Sequence, residues 1–227
     1  MISDSIEQNS HLSLHLDLSP QENTKIFGAS CKSVASFVVS ANSYCLWTSS
    51  GRRALASLTD SISTRGIPVY IDAVRQNSDF ILRTFKADGY ILNPYSPDFA
   101  DVCANAEISA QKIFAYINAR HPLIFESGVK KFLSLHKNIS VYFKYIPPYA
   151  FEIRRALAPL VLAEPSVISP DIKDVFNPDG SGAEIVMSCA KALKNSDDIQ
   201  SDIIKFVNRT NRAIDKTLYR KSTVITI

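Results

Sequence analysis

Leu12, Leu14, Leu16 and Leu18 alternate with Ser13, His15 and Asp17, a period of two that predicts a strand with one apolar face. Two further runs, Ser33 to Ser40 (SVASFVVS) and Ser43 to Thr48 (SYCLWT), also read as strands. At Ser49 the period lengthens. Ser49-Ser50-Gly51 offers a helix N-cap, and Leu55, Leu58 and Ile62 recur at helical spacing as far as Arg65-Gly66, where glycine supplies a stop. Val69-Tyr70-Ile71 reads as a buried strand, Asn77 to Lys86 as a helix, and Tyr90-Ile91-Leu92 as a strand ended by Pro94. Short connections between alternating strands and helices predict parallel strands with right-handed crossovers, here a βαβαβ unit over residues 44–93.

The second half reads as mainly helical. Apolar positions predict helices over Phe99 to Ala119 and Phe151 to Leu162, separated by an alternating strand at Ile139 to Tyr145. Pro165, Pro170, Pro178, Gly180 and Gly182 make residues 164–182 a long loop. Ser181-Gly182-Ala183-Glu184 is a capping-box signal for a helix to about Lys194, and a last helix begins near Ser196. The expected fold class is therefore α/β, a mixed sheet with a central βαβαβ unit and a mainly helical C-terminal half. The expected organisation is a loose N-terminus (1–10), an α/β domain (11–163), the loop (164–182) and a C-terminal helical segment (183–227) packed on the same domain.

Composition is that of an ordinary globular protein, with 46% hydrophobic and 21% charged residues, so a core is expected. A net charge of +3 does not by itself imply a polyanionic partner. The four cysteines, Cys31, Cys45, Cys103 and Cys189, form no CxxC pair and read as reduced thiols. The polar N-terminus has no signal-peptide pattern, and no apolar run approaches membrane-helix length. A cytoplasmic location, or delivery to a host cytoplasm by a signal-independent route, is expected. The four scattered histidines and four scattered cysteines give no metal-ligand set, so no metal is expected.

The stretch Leu46-Trp-Thr-Ser-Ser-Gly-Arg-Arg-Ala-Leu-Ala-Ser-Leu58, with the strand and helix that follow, resembles the GCN5-related N-acetyltransferases. The resemblance implies acetyl-CoA as cofactor and an amine as acceptor. Its pyrophosphate would sit on the amides of Ser49, Ser50, Gly51, Arg52, Arg53, Ala54 and Ala56, where a helix N-terminus favours anions. Ala54 stands where that family has a glycine, and Phe85 where it often has a tyrosine.

Two other readings come from the residues alone. Lys205, Arg209, Arg212, Lys216 and Arg220 fall on one face of the last helix, a basic stripe suited to a protein or nucleic-acid partner. A non-enzymatic interaction protein of viral, plasmid or secreted-effector type would act through it. Alternatively, Cys31, read as opening a helix, with His121 or His136 as base and Asn138, Asp171 or Asp174 as orienting group, outlines a thiol hydrolase. His11-Leu-Ser-Leu matches half of a 2H phosphoesterase signature, whose second half is absent.

Overall fold

The computed structural model describes residues 10–108, 112–118, 139–146, 160–165, 175–176 and 182–222. Among these residues eight strands occur in chain order: β1 (Leu12–Leu16), β2 (Ser36–Ser40), β3 (Val69–Asp72), β4 (Gly89–Leu92), β5 (Lys112–Ile117), β6 (Ser140–Phe143), β7 (Val161–Ala163) and β8 (Ala183–Ser188). Each pairs in parallel with the next, and β8 returns to β1 with Leu12 opposite Ile185. The sheet is thus a closed barrel of eight parallel strands. Helices α1 (Pro20–Ser30), α2 (Ser49–Ser63), α3 (Ser78–Thr84) and α4 (Phe99–Ile108) follow β1 to β4. The short α5 (Cys189–Ala192) and the long α6 (Ile199–Ser222) follow β8. This is the (β/α)8, or TIM-type, barrel, in which inward side chains form a packed core rather than a pore.

That architecture overturns the mixed sheet. The alternation in β1 is real, but its polar face is the inside. Leu12, Leu14 and Leu16 are at most 1% exposed and pack outward in the main core with Ile26 and Phe27 of α1 and Ile203 and Val207 of α6. Each such leucine stabilises the fold by roughly 1.5–3 kcal/mol. Ser13 and His15 face the lumen. The middle of the lumen is filled by Val38, Tyr70, Ile91, Phe114, Tyr142, Leu162 and Val186, a second apolar cluster.

Four expected elements change type. Ser43–Thr48 is not a strand: a 3-10 turn at Ala41–Ser43 leads into a loop, and the strand before α2 is β2. Of the helix expected to reach Ala119, Phe99–Ile108 is helical, and Lys112–Ile117 is β5. Val161–Ala163, the end of another expected helix, is β7. Residues 183–188, behind the capping-box signal, are β8, and Glu184 points from that strand to the hydroxyls of Ser13 and Ser36. The second half therefore supplies half of a closed barrel rather than a helical module.

Candidate active site at the C-terminal mouth of the barrel

Four strands end in, or are followed at once by, a charged side chain, and β8 ends in a hydroxyl. Asp17 follows β1, Asp72 ends β3, Lys144 follows β6, Glu164 follows β7 and Ser188 ends β8. Every crossover leaves its strand at the same end of a parallel barrel, so these groups converge on one mouth, where barrels of this kind build active sites. His15, one pleat below Asp17, completes the set.

His15 is buried between two carboxylates. Its Nε2 lies 3.3 Å from Asp72 Oδ2 and its Nδ1 3.9 Å from Glu164 Oε2. Neither ring nitrogen makes a well-aligned hydrogen bond, so the contacts are ionic. Burial alone would lower the imidazole pKa. The attraction of Asp72 and then Glu164 more than reverses this and raises it to about 9, leaving a cation at neutral pH.

Glu164 is the hub. It accepts hydrogen bonds from Tyr142 Oη (2.7 Å) and Lys191 Nζ (2.9 Å), and a third from Lys144 Nζ. Burial would raise its pKa, but His15, Lys144 and Tyr142 together hold the carboxyl below its ordinary range. Burial and the nearby Glu164 push the Tyr142 phenol well up. Tyr116 stacks on Tyr142 at 5.7 Å, and burial with the Asp72 and Glu164 charges raises its pKa to about 12. Both phenols stay neutral.

Asp17 turns the other way, onto the turn after β8. Its Oδ2 accepts from Ser188 Oγ (2.6 Å) and its Oδ1 from the Ala190 amide (2.7 Å). Among these groups three carboxylates face three cations: Asp17, Asp72 and Glu164 against His15, Lys144 and Lys191. A cavity of about 310 Å³ is lined by Glu164 and Lys191 together with Leu12 and Ile185 of the strands and Phe206 and Arg209 of α6. Among the described residues, no three His, Cys, Asp or Glu side chains are grouped to hold a metal ion.

The residues expected to hold acetyl-CoA lie elsewhere, in the first turns of α2. Thr48 Oγ1 already takes the Gly51 amide (3.0 Å), and Arg52 reaches back to the Leu46 carbonyl (2.8 Å). Arg53 bonds the Ser49 carbonyl (3.3 Å), and Ser49 and Ser50 are exposed. Gly51 has a packing role: a Cβ there would sit 2.1 Å from the Cys45 carbonyl oxygen. Ala54 and Ala56 pack against the core. The acetyl-CoA reading is withdrawn, since a capped helix on a barrel is not an acetyltransferase's pyrophosphate turn.

Cys31 closes α1 instead of opening a helix, the wrong end of the macrodipole for a thiolate, and Arg65 donates to its sulfur at 2.8 Å. His121, His136, Asn138, Asp171 and Asp174 lie outside the described residues. The hydrolase reading is withdrawn with its helix. Lys205, Arg209 and Arg212 are exposed on α6, with Lys205 bonded to Asp202 (2.8 Å); the side chains of Lys216 and Arg220 lie outside the described set. With β5 to β8 in the second half, an interaction protein built on a helical half is also set aside. No described helix is long and apolar enough to cross a membrane.

Sequence reasoning missed His15, Asp72, Lys144, Glu164 and Lys191. A signal was present: Leu16-Asp17, Ile71-Asp72, Phe143-Lys144 and Ala163-Glu164 each end an apolar run on a charge.

No family model matches the sequence, and no curated protein matches it. Solved structures do match its fold. The OMP decarboxylase of Leishmania donovani superposes with a TM-score of 0.71 at 17% identity, covering 94% of this chain and 97% of that one. The orotidine 5'-monophosphate decarboxylase of Methanocaldococcus jannaschii gives 0.64 at 16% over 87% and 97%. That of Sulfolobus solfataricus gives 0.67 at 9% over 91% and 100%. These likenesses replace the acetyltransferase resemblance: the chain has the barrel fold of the orotidine-phosphate decarboxylase structures.

Proposed function

We propose that this barrel is an enzyme of the decarboxylating kind, acting on a small ring-bearing carboxylic acid held at the C-terminal mouth. The observation that carries the reading is the buried His15–Asp72–Glu164–Lys144 cluster. A polar network this costly to bury is a poor way to fill a barrel but a good way to hold a proton ready. The names of the neighbouring structures agree with it.

The chemistry follows from the charges. The bond between ring and carboxylate breaks, CO2 leaves, and the electron pair stays on the ring carbon. His15, kept protonated by Asp72 and Glu164, supplies the proton that quenches it. Lys144 and Lys191 hold Glu164 anionic, so the imidazolium returns after proton exchange with water at the mouth. The stacked rings of Tyr116 and Tyr142 offer a flat wall beside the cluster.

The test is CO2 release from orotidine 5'-phosphate and from unphosphorylated orotidine, followed with the loss of the orotate ring absorbance. His15→Asn is expected to slow release by about 10²-fold or more. No CO2 from either compound with the wild-type protein sinks the proposal.

A further inference from the structure

The ladder between β7 and β8 is shorter than β8 itself. Its last pair is Ala163 with Ile185, whereas β8 runs on to Ser188. The ladder with β7 therefore leaves Val186 to Ser188 unpaired on that side. The cavity of about 310 Å³ sits at this gap, and its lining draws on both faces of β8. Ile185 and Met187 belong to the core outside the barrel, and Val186 to the apolar cluster in the lumen. Phe206 and Arg209, three residues apart and so on one face of α6, join them.

Leu12, Pro165, Ile185, Met187 and Phe206 make this lining largely apolar, and three charges border it: Glu164, Lys191 and Arg209. Lys191 is committed, because its ammonium donates to Glu164 at 2.9 Å and neutralises that carboxylate. Arg209 is not. It is exposed, and among the described residues no carboxylate pairs with it. The basic stripe of α6 thus divides: Lys205 is held by Asp202, while Arg209 borders a cavity. Two cations against one carboxylate leave a single net positive charge, which a monoanion matches and a dianion overfills. The volume lies at the small end of the roughly 300–1,000 Å³ usual for small-molecule sites, enough for an acid of about ten non-hydrogen atoms.

We infer that this cavity is a second binding site, separate from the cluster at the mouth, for a small apolar monocarboxylic acid. Its hydrocarbon body lies against Ile185, Met187 and Phe206, and its carboxylate takes the Arg209 guanidinium, a charge-assisted pair. Glu164, 3% exposed, sets the direction of entry: it repels the acid's own charge from the buried end and leaves it beside the exposed arginine. No step at the mouth enters this inference, so its test is binding rather than turnover.

Phenylacetate and 2-phenylethanol, an acid and an uncharged alcohol with the same ring, are titrated calorimetrically into the full chain. Both are also added in thermal melts, beside acetate and inorganic phosphate, which lack the apolar body. Phenylacetate should raise Tm at millimolar concentration and bind about tenfold more tightly than 2-phenylethanol, while acetate and phosphate leave Tm unmoved. Arg209→Gln should remove that tenfold advantage and leave binding of the alcohol as it was. Ala192→Leu, which fills the cavity from α5 and keeps every charge, should weaken both ligands; it decides alone if Arg209→Gln does not fold. The inference is overturned if wild-type protein does not bind phenylacetate, or if phosphate or acetate raises Tm as much. It is equally overturned if folded Arg209→Gln keeps the advantage, or if folded Ala192→Leu binds both ligands as the wild type does. Absence of CO2 release with phenylacetate binding intact sinks the decarboxylase reading alone.

Discussion

The two ends of the barrel carry polar clusters built on the same strands, and they are built differently. At the N-terminal end Ser13, Ser36 and Glu184 form a closed knot. The two hydroxyls lie 2.7 Å apart, and both donate to one carboxylate oxygen. At the C-terminal end cations and carboxylates alternate, His15 has no aligned hydrogen bond, and Glu164 answers to four neighbours. Between them lies the apolar layer around Phe114 and Tyr142. One end satisfies its polar groups with the fewest charges, as a plug should. The other keeps charge concentrated where solvent and ligand can reach it.

Glu164→Ala tests that contrast most severely. It leaves Lys144 and His15 without their shared anion in a site where Glu164 itself is 3% exposed. Unfolding free energy in denaturant should fall by about 3–5 kcal/mol, and CO2 release should vanish. A loss under about 1 kcal/mol would mean that the mouth cluster is no more strongly coupled than a surface pair.

The same region explains what sequence reasoning could and could not see. The helix over 49–63 and the strands at Val69 and Tyr90 were legible because periodicity and turn residues agree there. The strands Val161–Ala163 and Ala183–Ser188 were not. Barrel strands are short and buried on both faces, so three to six residues carry little period to separate them from a helix turn. Glu184 compounded the error, because a glutamate three places after Ser181 imitates a capping box while its side chain serves the plug. In β1 the period was legible and the orientation was not: nothing local says that the polar face of LSLHLD looks into a lumen. The site was invisible for a related reason. Its residues, from His15 to Lys191, are brought together only by barrel closure.

A pH titration separates the two ends next. His15 binds its proton more tightly in the folded protein, with the pKa raised from 6.5 to about 9. A raised pKa stabilises fully below the unfolded value, so this contribution is complete below about pH 6.5 and is lost as pH rises through about 9. The loss should amount to about 3 kcal/mol at most. Denaturant unfolding between those limits should show the slope in the wild type and not in His15→Asn. An equal slope in both would place the titrating group elsewhere.

Gly89→Ala probes the other end by packing alone. Gly89 opens β4, and a Cβ there would sit 2.7 Å from the Lys112 carbonyl oxygen and 3.1 Å from the Phe114 ring. Backbone of the neighbouring strand cannot turn away as a side chain can. Stability should fall by about 2 kcal/mol, read in denaturant, while CO2 release by the folded variant is unchanged. Full stability in the variant would show that the β4–β5 seam relaxes at little cost.

The smallest effect should come from Glu184→Gln. The amide oxygen keeps the acceptor that Ser13 and Ser36 use, and only the charge is lost. The expected change is about 1 kcal/mol in unfolding free energy, with CO2 release as in the wild type. Paired with Glu164→Ala, this variant turns the contrast between the ends into a ratio. If Glu184→Gln costs as much as removing Glu164, or slows CO2 release at the far mouth, the plug and the site are one coupled network through the barrel. A small and purely local cost instead means that the apolar layer between them insulates the chemistry from the scaffold.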